Sequence, residues 1–467
     1  METMHVDVMV VGAGPGGYVA AIRAAQLGLS VAIVERRWWG GVCLNVGCIP
    51  TKALLRNAEL ADLLRHRADE FGIDGDITLN YGKAFQRSRA VAARMARGVS
   101  HLMRKNGIVT LDGQAAFRDP HTAEVTASDG TTRQVAFEHA IIATGARPIP
   151  LPGTTPGRRV MTYEELILAE ALPDSILIAG SGPIGVEFAY ILASYDVAVT
   201  LVEVKDRLMP NEDPAVSEML ARQYAKLHIE VLTSTNVAFV DEDATGVTVG
   251  LEPAGGGEAS TRRVDVVLCA LGFRPHTAGL GLEALGVATE ANGAIRIDEA
   301  MRTSVPGLYA IGDVTGKAML AHTASAQGVI AAETIAGRPT LPIDYAMVPR
   351  ATYCQPQVAS FGLTEPQARE AGHDVRVSSF PFTANGKAAG LGEAVGFVKI
   401  VADGARGEIL GAHMIGPDVT ELLPELTLAQ LWDLTAAEVA RNIHAHPTLS
   451  EAIKEACDGI TGTIINL

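Results

Sequence analysis

The sequence predicts an α/β protein with two dinucleotide-binding units, one nested inside the other, followed by a C-terminal α+β domain. Three observations carry this reading. Gly12-x-Gly14-x-x-Gly17 recurs as Gly180-x-Gly182-x-x-Gly185, and each copy lies between an apolar run and a helix-like run. The acid closing the following strand recurs at the same spacing, as Glu35 and Glu203, so all four positions repeat 168 residues on (12 to 180, 35 to 203). The last third, from about Pro349, has no such glycine turn and mixes alternating strand patterns with amphipathic helices. A lone Gly-x-Gly-x-x-Gly is weak evidence, but a copied strand–turn–helix–strand–acid unit is strong.

The elements follow in order. Residues 8–11 are an apolar strand running into the first turn; an Ala-rich helix reaches Gly28, and strand 31–34 ends at Glu35. Residues 176–179 and 198–202 repeat this around Gly180 and Glu203. The first glycine makes the tight turn, the second admits a pyrophosphate and the third permits helix–strand contact. The helix N-terminus favours the phosphate charge, and the acid accepts hydrogen bonds from a ribose. Residues 140–145, ending Thr144-Gly145, form the closing strand of the first Rossmann-like unit, and 266–272, ending at Gly272, that of the second. Pro148, Pro150, Pro152 and Pro275 mark the crossings, because proline disfavours helix in the residue before it. Residues 308–313 form a buried strand ending in Asp313, where the chain returns to the first unit. The expected boundaries are therefore 1–147, 148–274, 275–347 and 348–467.

Length and composition agree. The 467 residues suggest about three domains, and 48% apolar against 19% charged residues is a globular composition. The formal charge, 38 − 53 = −15, makes nucleic acid and membrane surfaces poor partners. Met1-Glu2-Thr3-Met4-His5-Val6-Asp7 has no basic stretch leading into an apolar signal core, and no apolar run approaches the ~20 residues of a membrane span. The expectation is a soluble, cytoplasmic protein. Five cysteines, odd and sparse, are not a secreted disulfide framework.

The chemistry is expected at Cys43 and Cys48, in Gly41-Val42-Cys43-Leu44-Asn45-Val46-Gly47-Cys48-Ile49-Pro50. In a regular helix their Cα atoms would be ~8.6 Å apart, whereas a disulfide prefers ~4.4–6.8 Å, so the segment must tighten locally, with Gly47 and Pro50 as aids. Pro50 suits the first turn of a helix, which places Cys48 and Lys52 on one face. A cation there favours a thiolate. The bland alternative is two buried thiols packed as small hydrophobes. The candidate base is in His444-Ala445-His446-Pro447-Thr448-Leu449-Ser450-Glu451, where a carboxylate on one imidazole nitrogen raises basicity at the other. Competing readings are surface histidines, a Thr448–Glu451 capping box, or a metal held by His444, His446 and Glu451. We expect no metal.

Together these residues resemble the pyridine nucleotide-disulfide oxidoreductase family over essentially the whole chain. The resemblance includes Gly12–Gly17, Gly40 to Lys52, Ala143-Thr144-Gly145, Gly180 to Glu187, Thr303 to Asp313, Pro381 to Gly386, and His444 to Glu451. It implies FAD in the first unit and NAD in the second. Glu35 would hold the FAD ribose and Asp313 and Ala321 its linker, with Gly113 nearby, while Lys52 and Glu187 pair beside the flavin ring. Cys48 would face the flavin and Cys43 the substrate. The C-terminal domain would form a twofold homodimer and deliver His446, held by Glu451 and aimed by a cis His446–Pro447 peptide, to the partner chain. The implied activity is oxidation of dihydrolipoamide, borne by lipoyl proteins of 2-oxo-acid dehydrogenase complexes, with NAD as acceptor. Ser325 replaces an acid expected in close relatives. The rivals are an NAD(P)H-dependent reductase of a small disulfide such as glutathione, and a flavoprotein scaffold without turnover. Glu203 argues against the 2′-phosphate of NADPH.

Overall fold

A computed structural model describes residues 3–462 and 464–467; Met1 and Glu2, which begin the start inspected for a leader, and Thr463 lie outside the described residues. The chain divides into two compact units. One takes the chain up to Ala53, then Gly82–Ile149 and Gly272–Tyr345; the other takes Leu54–Tyr81, Pro150–Leu271 and Ala346–Leu467.

In the first unit, strands Val109–Asp112, Val31–Glu35, Met4–Val11 and Thr132–Ile142 lie parallel in that order. Strand Leu308–Ala310 joins Thr132–Ile142 in parallel register, so the chain comes back to this sheet after the second fingerprint. Val8, Val10, Ile33 and Ile141 pack on one face with Ala20, Ala21 and Ala24 of helix Pro15–Gln26, while Met9, Val11, Ala140 and Ile142 pack on the other. Both faces are covered, which is why these strands read as continuous apolar runs. Helix Pro15–Gln26 packs so tightly on helix Ala321–Ile335 that a Cβ at Gly328 would come within 2.6 Å of Gly16 O.

The second unit repeats the pattern. Strands Glu230–Leu232, Ala198–Val202, Ser175–Ala179, Val266–Cys269 and Val160–Met161 form a parallel sheet. The same unit holds a five-stranded antiparallel sheet ordered Arg350–Thr352, Gln357–Gly362, Ile409–Gly416, Phe397–Asp403, Val375–Pro381. Its apolar face, with Phe361, Phe380, Val398, Ile400 and Met414, packs against Leu423 and Leu426 of helix Val419–Leu431 and Ile453 of helix Glu451–Ile460. The α/β fold class, with two Rossmann-like sheets and a C-terminal α+β region, is the one the sequence predicts. Among the described residues, no helix is long and apolar enough to cross a membrane.

Candidate active site

The two glycine turns superimpose in their local physics. Gly12 has φ +103° and Gly180 φ +107°; a Cβ would meet Ala143 O at 2.3 Å in the first and Ala270 O at 2.4 Å in the second. At Gly17 and Gly185 a Cβ would fall 1.8 and 1.9 Å from the carbonyl oxygens of Gly12 and Gly180. Gly14 and Gly182 are extended, and a proline opens each helix. The acids repeat too. Glu35 accepts from Ala13 N (2.8 Å) and Arg37 N (2.8 Å), and Glu203 from Ser181 N (3.0 Å) and Lys205 N (2.9 Å). A carboxylate has about four acceptor sites, so each keeps capacity for a ribose hydroxyl.

Cys43 lies in the short helix Gly41–Asn45, and Cys48 opens helix Cys48–His66. Between them Val46 leaves helical geometry (φ −138°, ψ 8°). This break supplies the local tightening expected from the sequence, and Pro50 falls in the first turn as its fixed φ favours. A Cβ at Gly47 would sit 3.1 Å from Val42 O and 3.3 Å from Cys43 Cα, so the bend needs a glycine-sized residue beside the thiol. Asn45 Nδ2 ties the bend down on Trp39 O (3.0 Å) and Gly41 O (2.8 Å). The two thiols hydrogen-bond to each other. That hydrogen bond, then burial, holds the Cys43 thiol far above its usual range, and the Lys52 ammonium opposes the rise. The structure thus brings Cys43, Cys48 and Lys52 together, as a dithiol beside a cation.

Other predicted residues of the first unit have local roles as well. Gly113 N donates to Glu35 O (2.9 Å), and a Cβ at Gly113 would meet Thr126 O at 2.6 Å. Thr144 Oγ1 donates to His276 O (2.7 Å), and Gly145 O accepts from His276 N (2.9 Å). Gly272 O accepts from Ile149 N (3.0 Å), within the compact unit of the first fingerprint. Asp313 lies in the 3₁₀ turn Gly312–Thr315, and burial pushes its carboxyl up to about 6. Ala321 opens helix Ala321–Ile335, and Ser325 Oγ donates to Ala321 O (3.0 Å) and Pro15 O (3.4 Å).

In the second unit Glu187 is buried on helix Pro183–Ala193, and its carboxylate accepts from Tyr353 N at 2.9 Å. No sequence signal joins these two positions, and Tyr353 went unpredicted. Ser181 was also missed; the Ala13-to-Ser181 difference between the copies was its only trace. His446 Nδ1 lies 2.8 Å from Glu451 Oε1, and its side chain is 78% exposed, so Nε2 is left to solvent or substrate. His446–Pro447 is cis. Burial raises the Glu451 carboxyl, but the Thr448 amide (2.7 Å) and His446 bring it net below the usual range. The competing capping-box reading is met only by half. Thr448 Oγ1 turns to Ala445 O (2.7 Å), and Ser450 becomes the N-cap of helix Glu451–Ile460. His444 instead pairs with Glu425, its Nε2 2.9 Å from Oε1. Among the described residues no group of three His, Cys, Asp or Glu side chains is placed to hold a metal. Asn385 Nδ2 donates to Thr448 O (3.0 Å) and supports the histidine loop, beside which lies a cavity of about 630 Å³ lined by His446, Glu451, Asn385 and Ile443.

A dithiol beside a dinucleotide turn, with a histidine–carboxylate pair elsewhere in the chain, defines a nucleotide-linked disulfide oxidoreductase. Residues 6–328 match the family model for pyridine nucleotide-disulphide oxidoreductases, and residues 348–457 match the dimerisation domain of that family. The chain belongs to this family. It is 56% identical over 463 residues, 99% of each chain, to a dihydrolipoyl dehydrogenase of Mycobacterium tuberculosis. It is 51% identical over 467 residues to the Corynebacterium glutamicum dihydrolipoyl dehydrogenase (99% of this chain, 100% of that one). Among solved structures it is similar to LpdA from Mycobacterium tuberculosis, with TM-score 0.91 and 28% identity over 97% of this chain and 100% of that one. It is also similar to the HOCl-induced flavoprotein disulfide reductase RclA from Escherichia coli, with TM-score 0.86 and 27% identity over 97% and 99%.

Proposed function

We propose that this chain oxidises dihydrolipoamide to lipoamide with NAD as acceptor, using FAD and a reversible Cys43–Cys48 disulfide. The observation that carries the reading is the thiol pair, hydrogen-bonded across a helix break with Lys52 beside it. The full-length likeness to dihydrolipoyl dehydrogenases supports the choice of substrate.

The residues fit the two cofactors. Gly12 and Gly17 keep the turn tight, since a Cβ at either would meet backbone, Gly14 leaves its side of the turn open, Glu35 addresses a ribose, and Asp313, Ala321, Gly113, Thr144 and Gly145 belong to the same half. Gly180, Gly182, Gly185 and Glu203 repeat the turn for NAD, with Gly272 assigned to that cofactor from the sequence alone. FAD, when bound, relays the electron pair from the dithiol to NAD.

The chain's own part is thiol chemistry. In the oxidised pair, a substrate thiolate attacks Cys43 Sγ, the Cys43–Cys48 bond breaks, and Cys48 leaves as a thiolate that the Lys52 cation stabilises. The second substrate sulfur then displaces Cys43, which forms lipoamide and leaves Cys43 as a thiol beside the Cys48 thiolate. Of the two substrate protons, the second ends on Cys43 Sγ and the first needs an acceptor. His446 Nε2 takes the first, and Glu451 on Nδ1 fixes the tautomer and stabilises the imidazolium. Lys52 and Glu187 are assigned, from the family resemblance, to a pair beside the flavin ring. We assign the boundaries 1–147, 148–274, 275–347 and 348–467 to FAD binding, NAD binding, the return to the first unit, and dimerisation. In the homodimer, His446 of one subunit serves the cysteine pair of the other. The proposed partners are lipoyl proteins, and the proposed compartment is the cytoplasm.

The test is a steady-state assay with free dihydrolipoamide on protein carrying FAD. We expect NADH formation and a kcat/KM for NAD at least about tenfold above that for NADP, since Glu203 repels a 2′-phosphate. Preference for NADP, or activity only with glutathione, overturns the proposal.

A further inference from the structure

The C-terminal antiparallel sheet carries a polar row where its other face is apolar. Arg350 is opposite Ser360, Ser360 opposite His413, and His413 opposite Lys399, across four adjacent strands. Directly opposed residues share a face, so these four side chains present one polar stripe. Ser360 and His413 are fully buried and Lys399 is 9% exposed. Groups of this kind stay inside only when they are partnered.

The partners of Arg350, Ser360 and Lys399 are Glu212 and Asp213, at the start of helix Pro214–Lys226. Asp213, fully buried, caps that helix on Ala215 N (3.0 Å) and takes Lys399 Nζ at 2.9 and 3.1 Å. Glu212 accepts from Ser360 Oγ through Oε2 and from Arg350 Nε (3.2 Å) through Oε1. Lys399 also meets Glu365 (3.1 Å), itself paired with Arg369, and His413 Nε2 is spent on Leu363 O (2.9 Å).

The acids end the loop that begins at Glu203. Midway, Met209 is buried with φ +45°, which a non-glycine residue keeps only when its surroundings hold it there. Its N–H donates to Ser181 Oγ (3.2 Å), and Ser181 Oγ donates to Glu203 Oε2 (2.7 Å). Its carbonyl accepts from Glu212 N (2.9 Å). An unbroken hydrogen-bonded path therefore runs from the sheet through Glu212, Met209 and Ser181 to the acid of the second glycine turn.

We propose that Glu212 and Asp213, clamped by Arg350, Ser360 and Lys399, are positioning residues for the nicotinamide-nucleotide site, through which the C-terminal sheet sets the pose of Glu203 and Ser181. The proposal rests on the reading of the second turn as the NAD site. A clamp that merely joined two parts of the fold would change stability and leave nucleotide affinity alone. Positioning predicts a selective loss at the adenosine end.

The test uses the FAD-loaded homodimer. Ser360→Ala removes one hydroxyl; Glu212→Gln keeps the acceptor and removes the charge. We expect each to raise KM for NAD, and Ki for ADP-ribose, about 3- to 10-fold. The rate at which dihydrolipoamide reduces the enzyme without NAD should stay at the wild-type value. Lys399→Met strands a buried carboxylate and is expected to impair folding, so the two milder variants decide. Glu203→Ala is the control. If it raises both constants while Ser360→Ala and Glu212→Gln leave them unchanged, the positioning role is wrong and the NAD site stands. If Glu203→Ala changes neither, the NAD site itself is misplaced. A parallel fall in the dihydrolipoamide step also overturns the positioning role, because the effect would then be global.

Discussion

After Glu35 the first glycine turn runs into Arg36-Arg37-Trp38-Trp39 and the cysteine-bearing helix break; after Glu203 the second runs into the Met209 bend and ends on the C-terminal sheet. Up to the acids the copies agree within 0.2 Å in three matched contacts: Gly12 against Gly180, Gly17 against Gly185, Ala13 N against Ser181 N. On the proposed cofactor assignment the turn is a generic holder of phosphate and ribose, and what differs between the copies lies in the residues after each acid. The first continuation carries sulfur; the second carries the proposed anchor.

Exchanging the sulfur for oxygen should have the largest effect. Cys48→Ser leaves the first turn intact and removes the thiolate, so dihydrolipoamide turnover should fall about a thousandfold or more. Oxidation of NADH by ferricyanide, which needs no disulfide, should persist. If both activities fall together, the continuation after Glu35 is not a separable device.

A matched pair of substitutions in the turns themselves comes next. Gly12→Ala and Gly180→Ala place the same methyl group 2.3 and 2.4 Å from a carbonyl oxygen, at positive φ in both. Equal insults should have unequal results. Gly12→Ala should leave protein that does not retain flavin, read as the ratio of visible to ultraviolet absorbance. Gly180→Ala should keep its flavin and raise KM for NAD about 10- to 100-fold. Loss of flavin from Gly180→Ala would mean that the copies do not divide the cofactors.

The reach of the sequence follows the same division. The turns and acids were legible because glycine and carboxylate at fixed spacing have few physical uses. The helix break was legible because Gly47 and Pro50 are local punctuation. What stayed hidden was every contact made by residues distant in sequence with no periodic signal: Tyr353 N on Glu187, His444 on Glu425, and the row Arg350–Ser360–His413–Lys399, which exists only once four strands are in register. The Thr448–Glu451 spacing misled for a different reason. The Glu451 carboxylate is shared between His446 Nδ1 and Thr448 N, and the Thr448 hydroxyl donates to Ala445 O and caps no helix, where the alternative reading had it do so.

The edge of the two parallel sheets gives the smallest contrast. Beside its closing strand the first sheet carries Leu308–Ala310, which leads to Asp313, and the second carries Val160–Met161, which leads to Thr162 and a complete capping box with Glu165. The acid after the second edge, Glu165, is used up in that capping box, whereas Asp313 after the first is pushed up by burial to about 6. Between the ordinary carboxylate value of about 3.9 and about 6, the folded chain holds a proton that the unfolded chain has released. More protons bound in the folded state means that stability falls as pH rises through that window. Asp313→Asn cannot titrate, so flavin-free wild type should lose about 1–2 kcal/mol relative to the variant over those pH values, read from paired melting curves. Parallel curves would mean that burial does not hold the proton on Asp313 in the fold.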